Sequence, residues 1–500
     1  MELQTSSGSY QHRNSLADRL EGSSIKPAHI DLLPDELLLN ILEIVVFEDL
    51  WDVLVVLKEP VVGEDGVVCL PDYPERLSRV CWLWRKLIMR ACVLWSYIDV
   101  IASGPLAQKS YNRACYFIQR AADAPLFVRV HETTPCESHE TKRLAAWLQP
   151  LFKQIYSLDV TEGFSSPSLA IIFSVLDTWF EYGTPGGVKE LSLECTQDFR
   201  QPQFINSAST SSPADWNFSI SSELLERFLE PITLLRLDGV HAHWGTRAYR
   251  GLTHLQLAGG EIQETDLLNI LSHNQHLRTL SFGLSVVERR SEHILPFPVR
   301  LPDLRILNIE MARMTEIWDT LRFIAPGPQP LSLALGFDED DSSQDTIKSA
   351  QGRAFFQRSN VTKCHVRMDP EILQLKWFPE LLGEVPRLRT LCLQEGKLIG
   401  NYSMNHNGNL QNRRSSPDLR ELCIFDCVID HDEFKQLLHT HSIEVLRIAG
   451  CRILSDGLKA IKSIHEVETE LSGLVPDVRC YEEMIYDPRD PRTIWDYAYF

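Results

Sequence analysis

The stretch Leu419-Arg420-Glu421-Leu422-Cys423-Ile424-Phe425-Asp426-Cys427-Val428-Ile429 decides how this chain folds. Its apolar positions fall as L-x-x-L-x-L, the spacing of a short strand that buries one face, and a cysteine and a further isoleucine follow. The next copy, Ile443, Leu446 and Ile448, again leads to a cysteine, Cys451, and to Ile453. A tight turn explains that cysteine, because a small side chain with hydrogen-bonding capacity can satisfy backbone groups the turn leaves unpaired. Towards the N-terminus the pattern recurs at Leu388, Leu391, Leu393, at Leu304, Leu307, Ile309, and at Leu277, Leu280, Phe282. It continues at Leu252, Leu255, Leu257, at Ile232, Leu235, Leu237, and at Val188, Leu191, Leu193. Poorer copies sit at Leu331 and Leu333, at Val361, Cys364, Val366, and at Ile155, Leu158, Val160.

Successive starts from Ile155 to Ile443 lie about 29 residues apart on average, at the upper end of the range for leucine-rich repeats. Helical segments follow several strands. Leu267, Leu268 and Leu271 share a face within Thr265 to Ser272, and Phe434, Leu437 and Leu438 do so within Asp432 to His439. A unit of strand, turn and helix cannot bury its own apolar face, so it stacks on its neighbours. The expected fold is α/β: an irregular leucine-rich-repeat solenoid over 151–470, with parallel strands on the concave side and helices on the convex side. Residues 99–150 form a linking segment that starts the array, with strands at Tyr97 to Val100 and Leu126 to Val130 and a helix over Ser110 to Ala122. Residues 471–500 read as a C-terminal cap or tail, and Ser207 to Pro213, Asp338 to Asp345 and Asn401 to Ser416 as loops inserted between coils.

Ahead of the array lie two apolar helices. In Leu32-Leu33-Pro34-Asp35-Glu36-Leu37-Leu38-Leu39-Asn40-Ile41-Leu42, Pro34 suits a first helical position, and Asp35 and Glu36 meet the positive end of the helix dipole. Leu37, Leu38, Ile41, Leu42 and Val45 recur on one face. In the second helix Leu77, Val80, Cys81, Trp84, Leu87 and Ile88 share a face, Arg79, Arg85 and Lys86 take the other, and Leu94-Trp95 closes the segment. The two halves resemble fungal F-box proteins, whose pattern is Leu-Pro, an acidic residue, an apolar helix, then Val-Cys-x-x-Trp-Arg and a later Leu-Trp. Arg120-Ala121-Ala122-Asp123-Ala124-Pro125-Leu126 resembles such chains just after the box. The module spans 27–98 behind a disordered tail over 1–26. It departs from the family by Trp82 and by roughly 20 extra residues around Glu59 to Pro74, where Gly63, Asp65-Gly66 and Pro71 mark a surface loop.

The resemblance implies that Leu33, Pro34, Leu37, Leu38, Ile41, Leu42, Val80, Trp84, Leu87 and Trp95 dock a Skp-family adaptor and, through it, a cullin. The repeats would then hold a target protein for ubiquitination, making the chain the substrate-recognition subunit of an SCF-type cullin-RING ligase. A repeat scaffold that joins no ligase, its N-terminal helices merely capping the first coil, is the alternative.

Charge narrows the partners further. The 49 basic and 68 acidic residues leave a formal net charge of −19, which opposes binding to nucleic acid or an anionic membrane. No apolar run reaches the roughly 18 residues that span a bilayer, and Met1 to His29 carries no signal-like apolar stretch. The expected setting is intracellular, cytoplasmic and/or nuclear. The 12 cysteines include no CxxC pair, and several occupy apolar periodic positions, as reduced buried thiols do.

Catalytic and metal chemistry find little support. Asp35 and Glu36 are adjacent on a helix and therefore point to different faces. Cys423, Cys427, His431, His439 and His441 match no zinc spacing, and His241-Ala242-His243 reads as a turn after a strand. Gly163-Phe164-Ser165-Ser166-Pro167 lacks the closing glycine of a nucleophile elbow. No catalytic residue, metal or cofactor is expected. Arg278, Arg305, Arg389 and Arg420 each follow the first leucine of a repeat, while Arg236 and Arg447 lie between the last two apolar positions. Projected together from the strand side, these six would make a basic stripe for an acidic or phosphorylated segment of a substrate, unless neighbours such as Glu421 and Glu444 pair with them.

Overall fold

The computed structural model describes residues 33–44, 61–62, 68–69, 74–163, 170–195, 203–207, 216–287, 297–339, 350–368, 377–398, 419–455, 460–461 and 463–481. The tail over 1–26, nearly all of the acidic run, the polar insert after residue 400 and the chain beyond Tyr481 lie outside them. So does most of the extended interhelix connection, of which Val61–Val62 and Val68–Cys69 pair as a short antiparallel ladder.

Fourteen strands form one sheet, and each pairs in parallel only with the strand before and after it. They are β1 (Tyr97–Ile101), β2 (Leu126–His131), β3 (Ile155–Glu162), β4 (Glu190–Cys195), β5 (Leu234–Asp238), β6 (His254–Gln263) and β7 (Thr279–Val287). Then come β8 (Ile306–Arg313), β9 (Leu331–Glu339), β10 (Val361–Met368), β11 (Thr390–Gln394), β12 (Glu421–Phe425), β13 (Val445–Ala449) and β14 (Asp477–Tyr481). The repeat leucines explain the register. Leu191, Leu235, Leu255, Leu280 and Leu307 are matched across neighbouring strands, and the row continues through Leu333, Cys364, Leu391, Leu422 and Leu446. None of the ten is more than 2% exposed. Burial of one such leucine is worth about 2 kcal/mol, and a slip of one residue would turn the whole row to the wrong face.

Helices complete the coils on the leucine side. Among the described residues they are α3 (Ala107–Ala121), α4 (Ser138–Leu148), α5 (Ala170–Tyr182), α6 (Ser222–Leu229), α7 (Glu264–Ser272), α8 (Met314–Leu321), α9 (Ala350–Arg358), α10 (Trp377–Glu384), α11 (His431–Thr440) and α12 (Ile464–Leu471), after an N-terminal helix α1 over residues 35–44 and α2 (Trp82–Ile88). Helix α11 starts where Asp430 accepts the N–H groups of Asp432 and Glu433, both at 3.1 Å, and it buries Phe434, Leu437 and Leu438. Between strand and helix the chain turns through a left-handed residue after three consecutive strands, Glu395, Asp426 and Gly450. The cysteines follow. Gly396 N–H reaches Cys427 Sγ at 3.3 Å, Cys427 N–H reaches Cys451 Sγ at 3.4 Å, and the Cys427 thiol donates to Phe425 O at 3.1 Å. A sulfur ladder thus ties the turns of adjacent coils.

Several expectations need correction. The sheet begins at Tyr97, in the segment read as starting the array, and runs past 470 into the segment read as a cap, its last strand using Val478 in place of leucine. His241 lies in a short strand, Val240–Ala242, which pairs with Gln203–Ser207 in a three-stranded side sheet, rather than in a turn. Pro34 stands just before α1, not inside it: its carbonyl accepts the first helical bond, from Leu38 N–H at 3.0 Å.

Candidate functional site

The N-terminal helices divide the ten residues proposed for adaptor docking into two groups. Leu38 and Leu42 are fully buried, Leu87 and Trp95 nearly so, and all four belong to the chain's own core. Trp95 is the most committed. Its indole N–H donates to Ile88 O at 2.8 Å, and its ring meets Phe117 edge-on at 5.1 Å on α3. It therefore pins the helical module to the first coil. Leu38, Leu42 and Leu87 pack into the same core, so these four of the expected docking residues face inward.

The remaining positions point outward. Leu37 and Ile41 are 51% and 38% exposed, Val80 is 60% exposed, Pro34 is exposed, and Leu33 and Trp84 are half-buried. Three residues that the sequence reading had not assigned to docking join them: Ile44, Trp82 and Met89 are also exposed. Six large apolar side chains of this module thus stand outside the core. Cys81 caps helix α2, its sulfur accepting Trp84 N–H at 3.4 Å, so Trp82 occupies the first turn and stands free of the core. Lys86 Nζ lies 5.3 Å from its ring centroid.

The second surface is the strand face opposite the leucines. Alternation places the residue between each inward pair on this open face, giving one row of Asp99, Arg129, Asp159, Ser192, Arg236 and Gln256 across β1 to β6. Arg129 pairs with Asp159 at 3.4 Å. A shallow hollow opens here, walled by Tyr97 and Phe127, which stack at 4.5 Å, and by Asp159, Glu190 and Arg236. Burial raises the Tyr97 hydroxyl and, more modestly, the Glu190 carboxyl, whose rise the Ser157 hydroxyl and Arg236 oppose.

The six arginines do not form a stripe. Arg278, Arg305, Arg389 and Arg420 precede their strands and are exposed along the sheet's N-terminal edge, where Arg305 N–H bonds Arg278 O and Arg420 N–H bonds Arg389 O. Only Arg236 and Arg447 stand on the open face. Arg447 is buried beneath it, with its Nε 3.1 Å from Glu421 Oε1. Strand position decides this: a residue one place ahead of a strand lies at its mouth, while the middle position of L-x-L faces outward from the sheet.

Chemistry-bearing groups elsewhere serve the fold. Among the described residues no three His, Cys, Asp or Glu side chains gather as a metal site, and every cysteine whose side chain is described is a free thiol. Burial raises the Cys364 thiol to about 12 and Cys392 far above its usual value, which removes thiolate reactivity. Cys427 belongs to the turn ladder, and His431 sits buried with Nε2 3.2 Å from Glu470 on α12. His241 is buried against Gly259 O at 3.0 Å and lowered to about 4 by burial, so it is neutral. A feature with no signal in the residue pattern is a pair of buried carboxylates at the ends of β2 and β3. Glu132 accepts Cys136 N–H at 2.9 Å and Gly163 N–H at 3.2 Å, and Glu162 accepts Ile172 N–H at 3.3 Å. Burial first, then the Glu132 charge, raises Glu162 to about 7. They brace turns with backbone donors.

No family model matches the chain, and no curated protein matches it. Among solved structures, a leucine-rich-repeat protein of Leptospira interrogans aligns over 73% of this chain and 91% of its own, at 12% identity and a TM-score of 0.25. The leucine-rich-repeat-like architecture stands on the strand register described above.

Proposed function

We propose that this chain is the substrate-recognition subunit of a cullin-RING ubiquitin ligase, with the N-terminal helices docking a Skp-family adaptor and the repeats holding a target protein. The observation that carries the reading is the set of apolar side chains left outside the core on α1 and around α2, in the segment whose sequence resembles an F-box. A cap for the first coil needs an apolar face turned inward, and Leu38, Leu42, Leu87 and Trp95 supply that face. Leu37, Ile41, Val80 and Trp82 are surplus to it. A docking interface buries about 800 Å² per partner around a few aromatic anchors, and Trp82 and Trp84 are the aromatic candidates. The chain itself transfers no ubiquitin: its contribution is positional, raising the effective concentration of the target near the conjugating enzyme. Such a subunit works in the cytoplasm or nucleus and requires no metal or cofactor.

The test is a double substitution on the outer face, Leu37→Asp with Ile41→Asp, scored by co-purification with adaptor. We expect adaptor to be lost while the melting midpoint stays at the wild-type value, because neither side chain belongs to the core. Retention of adaptor would favour the alternative, a repeat scaffold outside any ligase.

A further inference from the structure

We propose that the open face over β1 to β6 grips a basic, extended segment of a partner protein, seating a lysine or arginine side chain in the hollow between Tyr97, Phe127, Asp159 and Glu190. The argument begins with what each charge presents to solvent. Arg129 is held against Asp159 with only 6% of its side chain accessible, whereas Asp159 keeps 26%. Glu190, Glu194 and Asp238 are likewise half-exposed on this face, and Arg236 is the one cation of similar exposure among these rows. The solvent therefore meets carboxylates. The aromatic wall adds a second recognition element, since the stacked Tyr97 and Phe127 rings, 7° from parallel, offer π faces and edges beside those acids. A cation entering the hollow gains both interactions, while Arg236, the cation on its wall, already lies within the field of the Glu190 carboxylate. Six strands spaced about 4.8 Å apart span roughly 24 Å, the length of about eight extended residues. The net charge of −19 extends the attraction beyond contact range.

This inference deepens the receptor reading by giving the cargo a chemistry opposite to the acidic or phosphorylated one that the arginine pattern suggested. It takes the cargo-holding role of the repeats from that reading, but its test uses no adaptor, so either proposal can fail alone. The full chain is titrated with a fluorescein-labelled Lys/Arg-rich peptide of about eight residues and with its Glu-rich and phosphoserine counterparts. We expect the basic peptide alone to bind, more weakly as salt rises. Glu190→Gln should weaken it about fivefold, and Glu190→Gln with Tyr97→Leu more than tenfold. Glu181→Gln, an equal change in net charge on the exposed end of α5, should leave binding unaltered. If Glu190→Gln proves unfolded by its melting curve, Ser192→Lys replaces it, setting a cation in the middle of the row, and should abolish binding. The proposal is overturned if the acidic or phosphorylated peptide binds better, if no peptide binds, or if Glu190→Gln and Glu181→Gln behave alike.

Discussion

Glu162 shows what a single buried group costs and when. Its folded pKa of about 7 lies above the ordinary 4.5, so the folded state holds a proton that the unfolded chain releases over that window. The neutral group is fully tolerated below pH 4.5, and its tolerance is lost as the pH rises through 7. Glu162→Gln should therefore stabilise the protein relative to wild type by a margin that grows between pH 4.5 and 7 and then levels off, on the order of 3 kcal/mol. Melting midpoints of both proteins across that range measure the margin, and a constant difference would refute the assignment. His131 and His365, lowered by burial to about 4 and about 3, act oppositely, adding stability that disappears as pH falls below 6.5, so the wild-type curve alone would mix the two effects. At this scale the sequence was partly legible. A 3.6-residue period marks Leu37, Leu38, Ile41 and Leu42 as apolar, but which pair faces the core depends on where Trp95 and the first coil lie, and that is not a local property.

The turn after each strand is the element that sets the repeat. Gly450 has a φ of 65°, and a Cβ there would strike the Asp426 carboxylate of the preceding coil. Gly251 has a similar φ of 69°, yet a Cβ on it would meet nothing within 4 Å. Gly251→Ala should thus cost only backbone strain, about 1 kcal/mol, while Gly450→Ala should cost clearly more, with the difference read from urea midpoints. Equal losses would show that Asp426 yields freely. The sulfur ladder was visible in advance from Cys427 and Cys451 because the turn admits few side chains at that place. The first two strands were legible from the apolar runs at Tyr97 to Val100 and Leu126 to Val130, but the last was not, since Val478 stands alone without the leucine spacing. Nothing in the spacing of the arginines distinguished the mouth of a strand from its middle, which is why a stripe of six was expected and one half-exposed arginine on the open face was found.

Over the whole molecule, coils contact only their neighbours, so a loss at one end should propagate inward. Trp95→Ala removes the indole that fills the junction between the helical module and the first coil, and the expected loss is about 3–5 kcal/mol. Hydrogen exchange should localise that loss to the module and β1 to β3, leaving β11 to β13 protected. Uniform deprotection would mean that the array unfolds as one unit. Because this junction is packed, residues 25 to 100 expressed alone would expose Trp95 and Ile88, and a failure of that fragment to bind adaptor would say nothing about docking in the full chain.

The indole at 95 also acts as a weld. With the outward Leu37 and Ile41 of α1 on one side of it and the strand rows on the other, the separation between these two surfaces is fixed by packing and not by a tether. If the chain serves a ligase as proposed, a protein held across those rows would offer it only the amines that lie one particular span from the grip, so the choice of modified lysine would be set by geometry before any chemistry began.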